Sequence, residues 1–287
     1  MTGVAIVGAG RLGTSLGRAL ADKGFPILWI ADRNPAAARE SRRIIGQGRA
    51  TSDLARAAEA GIIVLSVPDG EIERAARALA RTSGVWREKV VLHTSGIQPS
   101  TVLAPLRSKG AACASFHPVQ TFPRKDLPAV HFRGIVIALE GDKAALRAAQ
   151  RLIRSLGAHD LLLRARDKIL FHTACSMASN LFVPLFEMAR TLLRGIGIKD
   201  ADAASLLLPL VEGTLQSVKH FDGADALTGP ISRGDVETVK KHLEALKRYP
   251  AARRTYRALG AEAVRFARKK GLSPGKLKAL KRLTAGI

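Results

Sequence analysis

The fold is decided by the stretch Val4-Ala-Ile-Val-Gly8-Ala-Gly10-Arg-Leu-Gly13 of this 287-residue chain. Its four consecutive apolar residues, which include β-branched Val and Ile, predict a buried strand over residues 4–7. The three glycines that follow have the spacing G-x-G-x-x-G, which is typical of a strand-to-helix turn around a pyrophosphate. The first glycine permits the tight turn, the second lets the backbone approach the phosphates, and the third lets the helix pack on the strand.

A second apolar run, residues 26–31, leads to Asp32. An acidic residue about twenty positions after such a glycine turn hydrogen-bonds the ribose in dinucleotide-binding units. The sequence therefore predicts a pyridine dinucleotide site, with contacts from Gly8, Gly10, Arg11, Leu12, Gly13, Asp32, Arg33, Ser66, Val67 and Pro68.

The choice between NADP and NAD stays open at this point. Asp32 would accept hydrogen bonds from a ribose diol and repel a 2′-phosphate, but Arg33 follows it directly. Further arginines lie on the next predicted helix, at Arg39, Arg42 and Arg43. These arginines favour NADP; NAD is expected if Asp32 faces the ribose and Arg33 faces solvent.

Strand-like apolar runs alternate with helix-like segments up to about residue 165. This alternation predicts an α/β fold with a doubly wound parallel sheet. After Asp167 only helical periods remain, which predicts an all-helical C-terminal domain. The predicted domains are residues 1–165, for dinucleotide binding, and residues 166–287, for substrate binding and dimerisation. Asp167 is a candidate N-cap for the first helix of the second domain, and Pro184 should kink that helix or divide it in two.

The net charge of +22 invites a nucleic-acid interpretation. From Lys240 to Arg282 there are fifteen Lys and Arg residues and two Glu, but they interleave with apolar residues at helical spacing. That pattern describes amphipathic helices with a solvated face. Without an RNA-binding, zinc or helix-turn-helix signature, the sequence predicts no specific nucleic-acid partner and no metal site. Steering of a small anionic substrate is the expected effect of the charge.

The remaining composition favours a cytoplasmic enzyme. The segment before the first strand leaves no room for a signal peptide, and no apolar run is predicted to reach the length needed to cross a bilayer, so no membrane partner is expected. Cys113 and Cys175 are far apart in apolar stretches, which indicates reduced, buried thiols.

Polar segments follow several predicted strands. Because ligands bind outside the carboxyl ends of the strands in such sheets, we expect these segments to converge with the glycine turn. The substrate residues predicted from them are His93, Thr94, Gly96 and His117, and Ser95 is a candidate catalytic group that contacts a carboxylate or carbonyl. Each segment also has a structural explanation, as a turn with a hydrogen-bonded histidine or a loop fixed by proline.

The most informative segment of the second half is Lys168-Ile-Leu-Phe-His172-Thr-Ala-Cys-Ser176-Met-Ala-Ser179-Asn180. Steps of four place Lys168, His172, Ser176 and Asn180 along one helical stripe. Such a stripe on an otherwise apolar helix predicts the wall of a polar cleft, with Lys168 as proton donor and His172 and Asn180 orienting the substrate. A hydrogen-bonded seam between helices is the alternative.

A polar turn at residues 227–235 has two explanations that the sequence does not separate. Thr228, Arg233 and Asp235 could close over the cleft as substrate-binding groups. Ser232 or Asp235 could instead serve as an ordinary helix cap.

Taken together, these motifs give the chain a family resemblance. It resembles Rossmann-like proteins whose C-terminal helical domain is catalogued as of unknown function, relatives of pyrroline-5-carboxylate reductase, ketopantoate reductase and the β-hydroxyacid dehydrogenases. The motifs are the glycine turn, His93-Thr-Ser-Gly96, Phe116-His117-Pro118, Lys168-x-x-x-His172 with Asn180, and residues 227–235.

The resemblance implies a role for Lys168. The wider group uses a K-x-x-x-N pair with the lysine as proton donor; here His172 stands in the place of the asparagine. His117-Pro118 is also similar to a step in prephenate dehydrogenases. Relatives often dimerise through the helical domain, which the apolar stretch at residues 206–210 would permit.

The leading hypothesis is an NAD(P)-dependent oxidoreductase that transfers hydride between nicotinamide and a small keto or imino acid, with a ketopantoate-like acid as one candidate. A prephenate-dehydrogenase-like enzyme is one alternative. A dinucleotide-binding regulatory or scaffold protein without turnover is another, and a nucleic-acid-associated protein whose binding falls steeply with salt is a third.

Overall fold

The computed structural model describes residues 3–285, which form two compact units. The first unit extends to Met177 and the second begins at Ala178. The sequence placed the division at residue 165; the structure keeps the first helix after the sheet with the first unit. The reason is a contact of Lys168 with the sheet, described below.

Within residues 3–285 the first unit contains one eight-stranded sheet. Its strands along the chain are β1 (Val4–Val7), β2 (Ile27–Ala31), β3 (Arg49–Thr51), β4 (Ile62–Leu65), β5 (Val90–His93), β6 (Ala112–Pro118), β7 (Val136–Gly141) and β8 (His159–Leu162). Their order across the sheet is β3-β2-β1-β4-β5-β6-β7-β8. The order reverses direction at β1, so the predicted doubly wound topology is confirmed.

The prediction of an entirely parallel sheet needs one correction. β7 pairs with β6 antiparallel, with Phe116 opposite Leu139, whereas the pairs from β3 through β6 and the pair β7–β8 are parallel. The connection between β6 and β7, all of it within the described residues, contains one short 3₁₀ turn, Ala129–Phe132, and no crossover helix. A parallel return would need such a crossover, so the chain returns in the opposite direction.

The helices of the first unit are α1 (Arg11–Asp22), α2 (Pro35–Ile45), α3 (Asp69–Ala80), α4 (Ala104–Arg107), α5 (Lys143–Leu156) and α6 (Lys168–Ala178). Alternate residues of β1 enter different apolar cores: Val4 and Ile6 pack in one, Ala5 and Val7 in the other. A strand covered on both faces explains why β1 is apolar at every position.

The polar stripe predicted from steps of four stops early. α6 ends at Ala178, and residues 179–181 form a turn before α7 (Phe182–Arg194). Pro184 stands in the first turn of α7, where its missing N–H is tolerated, but it cannot continue the preceding helix. The predicted division of this helix in two is found, but the break lies at residues 179–181, ahead of Pro184, and Asn180 is not on the helix that carries Lys168. Asp167 accepts a hydrogen bond from Arg164 and belongs to a 3₁₀ turn, Ala165–Asp167.

The second unit is helical throughout its described residues, as predicted. After α7 come α8 (Asp200–His220), α9 (Gly223–Ala226), α10 (Gly229–Arg233), α11 (Val236–Ala245), α12 (Pro250–Lys269) and α13 (Pro274–Thr284). Its apolar core includes Val239, Leu243, Val264 and Leu280. Asp235 caps α11 by accepting the Thr238 N–H at 3.0 Å, so the capping explanation for this residue is correct.

One helical stretch, Ala165–Arg194, is long and apolar enough to cross a membrane by length and composition. This corrects the prediction that no apolar run reaches that length. A single stretch of this kind is weak evidence for a membrane span, and here the turn at residues 179–181 divides it into α6 and α7.

Candidate functional site

The glycine turn has the geometry that its spacing predicts. Gly8 has φ of +101°, and a Cβ there would collide with the Ser66 carbonyl group. A Cβ on Gly13 would collide with the Gly8 carbonyl oxygen. A Cβ on Gly10, by contrast, would have no neighbour within 4 Å among the described residues, so the turn leaves open space at the second glycine. The first residue of α1, Arg11, is exposed beside this space, and Leu12 packs on the core.

Asp32 stabilises this turn. Its Oδ2 accepts the Ala9 N–H at 2.8 Å, and its Oδ1 accepts the Asn34 N–H at 2.8 Å. The carboxylate therefore bridges the glycine turn to the start of α2, and each of its oxygens already accepts one backbone hydrogen bond.

A cavity of about 340 Å³ extends from the glycine turn between the carboxyl ends of β2 and β4. The sequence-predicted residues that line it are Gly8, Gly10, Asp32, Arg33, Ser66, Val67 and Pro68. Its far side is apolar, with Leu54, Ala75 and Ala78, and its rim carries Glu71 and Arg74. The structure thus brings these predicted cofactor residues around one cavity.

Lys168 lies on the sheet side of α6 and is 1% exposed. Its Nζ donates to Ser115 Oγ on β6 at 2.6 Å and to the Ser95 carbonyl oxygen after β5 at 3.4 Å. Burial lowers the pKa of this ammonium group, although Glu140 and Asp69 oppose the effect. The lysine amine is desolvated and hydrogen-bonded, and it does not lie on the outer surface.

Gly96 lies between two histidine rings. The rings of His117 and His172 have centroids 5.6 Å apart. A Cβ on Gly96 would overlap the His172 ring and come within 2.9 Å of His117 Cε1. This position has room only for glycine, and both rings lie beside the loop whose Ser95 carbonyl accepts from Lys168.

Two histidines of the site are held neutral. Burial lowers the pKa of His93 to about 3, and the Lys168 charge acts in the same direction. Burial lowers the pKa of His117 to about 4, against a Thr94 backbone hydrogen bond that raises it. His93 Nδ1 accepts the Ser95 N–H at 3.2 Å, which assigns the proton of the neutral ring to Nε2.

Most polar groups that follow β5 form hydrogen bonds within their own loop. Ser95 Oγ accepts the N–H groups of Ile97 and Gln98, at 3.2 and 3.0 Å, and the side chain is buried. Thr94 Oγ1 donates to Ser66 Oγ at 3.4 Å, which joins the loop to the cavity wall. The hydroxyl group of Ser95 therefore stabilises a turn, which is the structural alternative for this segment. The carbonyl oxygen of Ser95 accepts a hydrogen bond from Lys168.

The other predicted residues are placed differently. Ser176 is half-buried on α6, one turn beyond His172, and Asn180 is exposed in the turn after α6. Thr228 is the N-cap residue of α10 without a side-chain cap bond, and Arg233 is in the last turn of that helix, in the second unit.

Sequence reasoning missed Ser115, Glu71 and Arg74. Ser115 could have been found, since it precedes His117 by two residues in a strand and so shares its face. Glu71 and Arg74 carry no such signal, because charges on the first turns of an amphipathic helix are typical of a solvated face.

The fold and the glycine turn define the class, a Rossmann-like α/β domain followed by a helical domain. Residues 2–118 match the family model described as "Rossmann-like domain", and residues 135–263 match "Domain of unknown function (DUF2520)". The chain therefore combines a Rossmann-like domain with a DUF2520 domain, which confirms the predicted resemblance to Rossmann-like proteins with a C-terminal helical domain of unknown function. The likeness to ketopantoate reductase stays a prediction.

Solved structures resemble the chain over nearly its whole length. A candidate NADP oxidoreductase from Bacteroides fragilis is 25% identical with a TM-score of 0.76, covering 91% of this chain and 97% of that chain. Protein TM1727 from Thermotoga maritima is 22% identical with a TM-score of 0.69, covering 94% and 100%. A pyrroline-5-carboxylate reductase from Coxiella burnetii is 16% identical with a TM-score of 0.60, covering 99% of each chain. No curated protein matches the chain.

Proposed function

We propose that the protein is a cytoplasmic NAD(P)-dependent oxidoreductase that acts on a small keto or imino acid, with NADP as the preferred cofactor. The observation that carries this proposal is the open space over Gly10, at the end of a cavity that leads to Asp32 and Arg33. The likeness to structures described as an NADP oxidoreductase and a pyrroline-5-carboxylate reductase supports the reaction class.

The residues present fit a dinucleotide. Backbone N–H groups at the start of α1 would hold the pyrophosphate, since a helix N-terminus favours negative charge. The apolar wall of Leu54, Ala75 and Ala78 suits an adenine ring. Ser66, Val67 and Pro68 would pass beneath the ribose and nicotinamide. When bound, the nicotinamide supplies or accepts the hydride.

The preference for NADP is supported by how Asp32 and Arg33 are used. Both carboxylate oxygens of Asp32 accept backbone hydrogen bonds, and Arg33 lines the cavity. A carboxylate that holds the turn is less available to a ribose diol, and a guanidinium group matches a phosphate.

Lys168 is the group we propose as the proton source at Nζ. Its burial lowers its pKa, which makes the ammonium group a better acid than a lysine in water. Neutral His117 and the neighbouring His172 would orient the substrate by hydrogen bonds, beside the Gly96 backbone. The small anionic substrate is the expected match for a chain of net charge +22.

The test follows the absorbance of NADPH and NADH during incubation with a panel of 2-keto acids and cyclic imines, ketopantoate and a pyrroline carboxylate included. Prephenate with NAD⁺ or NADP⁺ is the oxidative arm of the panel. Turnover with NADPH at lower KM than with NADH supports the proposal. Nucleotide binding without turnover on any member supports the non-catalytic alternative, and absence of binding rejects both.

The proposed assembly is a homodimer that uses the helical unit. Leu206, Leu208 and Leu210 of α8 are 58%, 49% and 67% exposed, and Leu215, Val218 and Phe221 continue the exposed apolar series. Apolar side chains in such a series are typical of a surface that another chain covers.

A further inference from the structure

Three charged side chains meet at the rim of the cavity described above. One oxygen of Glu71, Oε2, lies 3.5 Å from Arg33 Nη1 and also pairs with Arg74 Nη2. Glu71 and Arg74 come from α3, and Arg33 follows β2, so the carboxylate joins two elements across the cavity mouth. All three residues line the cavity.

The two guanidinium groups both face a single carboxylate, that of Glu71. Their side chains are 75% and 62% exposed, whereas Glu71 is 30% exposed between them. Guanidinium forks bind phosphate oxygens by the same paired hydrogen bonds that they form with a carboxylate. A phosphate monoester carries a charge of about −2 near neutral pH and has three acceptor oxygens, so it can replace a single carboxylate on both partners.

The cluster shares the cavity with the apolar side chains proposed to hold the adenine ring. It lies beside the apolar wall formed by Leu54, Ala75 and Ala78, and next to Asp32. Asp32 is engaged with Ala9 and Asn34, so Glu71 is the acidic side chain of the rim whose partners are the arginines themselves.

We propose that Glu71 is an internal competitor for the 2′-phosphate of NADP(H), displaced from Arg33 and Arg74 when that phosphate binds. This inference rests on the proposed use of NADP. Glu71 then limits the preference for NADP over NAD. It lowers the affinity for every ligand that carries a 2′-phosphate and leaves the affinity for ligands without one nearly unchanged.

The test is calorimetric binding of 2′,5′-ADP and of 5′-ADP to the full chain, at constant ionic strength. Glu71→Gln should lower the Kd for 2′,5′-ADP about fivefold, which matches the free energy of an exposed ion pair. The Kd for 5′-ADP should stay within about twofold of the wild-type value. Glu73→Gln is the matched control, because Glu73 is on the same helix but pairs with Arg77 and does not line the cavity. Arg74→Gln should weaken 2′,5′-ADP and remove the gain in the double variant Glu71→Gln/Arg74→Gln.

The outcomes separate this inference from the proposed function. If Glu71→Gln leaves 2′,5′-ADP unchanged or tightens both nucleotides equally, the competitor role is rejected while the nucleotide site stands. An equal gain in Glu73→Gln also rejects it, since that is a general effect of net charge. If the wild-type chain binds neither nucleotide, the proposed function is rejected, and this inference with it. Circular dichroism of each variant confirms that the fold is intact.

Discussion

Lys168 on α6 donates a 2.6 Å hydrogen bond to Ser115 on β6, 53 residues earlier in the chain. This bond ties the first helix after the sheet to the middle of β6, an interior strand of the sheet. The Lys168 amine is also buried, and this burial lowers its pKa. The first side chain of α6 therefore both contacts the sheet and has its acidity raised by burial.

Replacement of Lys168 by Met should remove the proposed proton source. We expect the rate of reduction to fall by about two to four orders of magnitude, the range for loss of a general acid, while the Kd for NADPH stays within about threefold. In the wild type, reduction needs the protonated amine. The rate should therefore fall as pH rises through a pKa below the usual lysine value.

Lys89→Met is the control for this measurement. Lys89 Nζ donates to the Ala60 carbonyl oxygen at 3.0 Å, and burial lowers its pKa as well, but it lies outside the candidate site. If Lys168→Met keeps wild-type turnover in a stopped-flow assay, the lysine is not the donor.

Gly10→Ala should weaken NADPH binding without lowering the Tm, whereas Gly13→Ala should lower the Tm. A methyl group on Gly10 meets no atom of the described residues, so we expect the Tm to stay near that of the wild type. The same methyl group occupies the space proposed for the pyrophosphate and should weaken NADPH at least tenfold. On Gly13 it meets the Gly8 carbonyl group, and we expect a clear loss of Tm without any ligand. Thermal unfolding and titration of NADPH separate the two effects. Undiminished NADPH binding by Gly10→Ala would contradict the placement of the cofactor.

His117 should make the protein less stable in acid. Its pKa is about 4 in the folded chain, below the usual value near 6.5, so the folded state resists protonation. The stability is complete above about pH 6.5 and is lost as pH falls towards about 4, because the unfolded chain binds the proton first. The difference between the folded and the unfolded pKa corresponds to about 3 kcal/mol of the free energy of unfolding.

Chemical denaturation of the wild type and His117→Gln at several pH values between 4 and 7 measures this effect. The variant should lose less stability over the interval, while His93, whose pKa is about 3, keeps a remaining pH dependence in both proteins. His159→Gln, on the exposed edge strand β8, is the control. If the free energy of unfolding falls equally with pH in the wild type and in His117→Gln, His117 is not the group responsible.

Leu210→Glu should disrupt the proposed dimer. Leu210 is 67% exposed in the single chain, so a carboxylate there costs little within one copy but is unfavourable when a second copy covers it. Light scattering after size exclusion should give twice the chain mass for the wild type and a shift towards one chain for the variant. Leu28→Glu, at an exposed position of β2 in the other unit, is the control. A wild-type chain that is monomeric at micromolar concentration would contradict the dimer.

Much of the first unit could be predicted because buried parallel strands are continuous apolar runs and glycine turns have a fixed spacing. The direction of β7 could not, since the apolar run at residues 135–139 is the same in either direction. The pairing of Lys168 with Ser115 could not be predicted either, because it joins residues from distant segments that only the packed fold brings together. The position of Asn180 was predicted wrongly because the helix that carries Lys168 ends at Ala178, two residues before it.

Asp32 limits how coenzyme selectivity could be redesigned. Replacing Asp32 would leave the Ala9 and Asn34 amides without their acceptors and loosen the turn proposed to hold the nucleotide. A variant designed for the coenzyme that lacks the 2′-phosphate should therefore keep Asp32 and change the arginines proposed to bind that phosphate, Arg33 and Arg74.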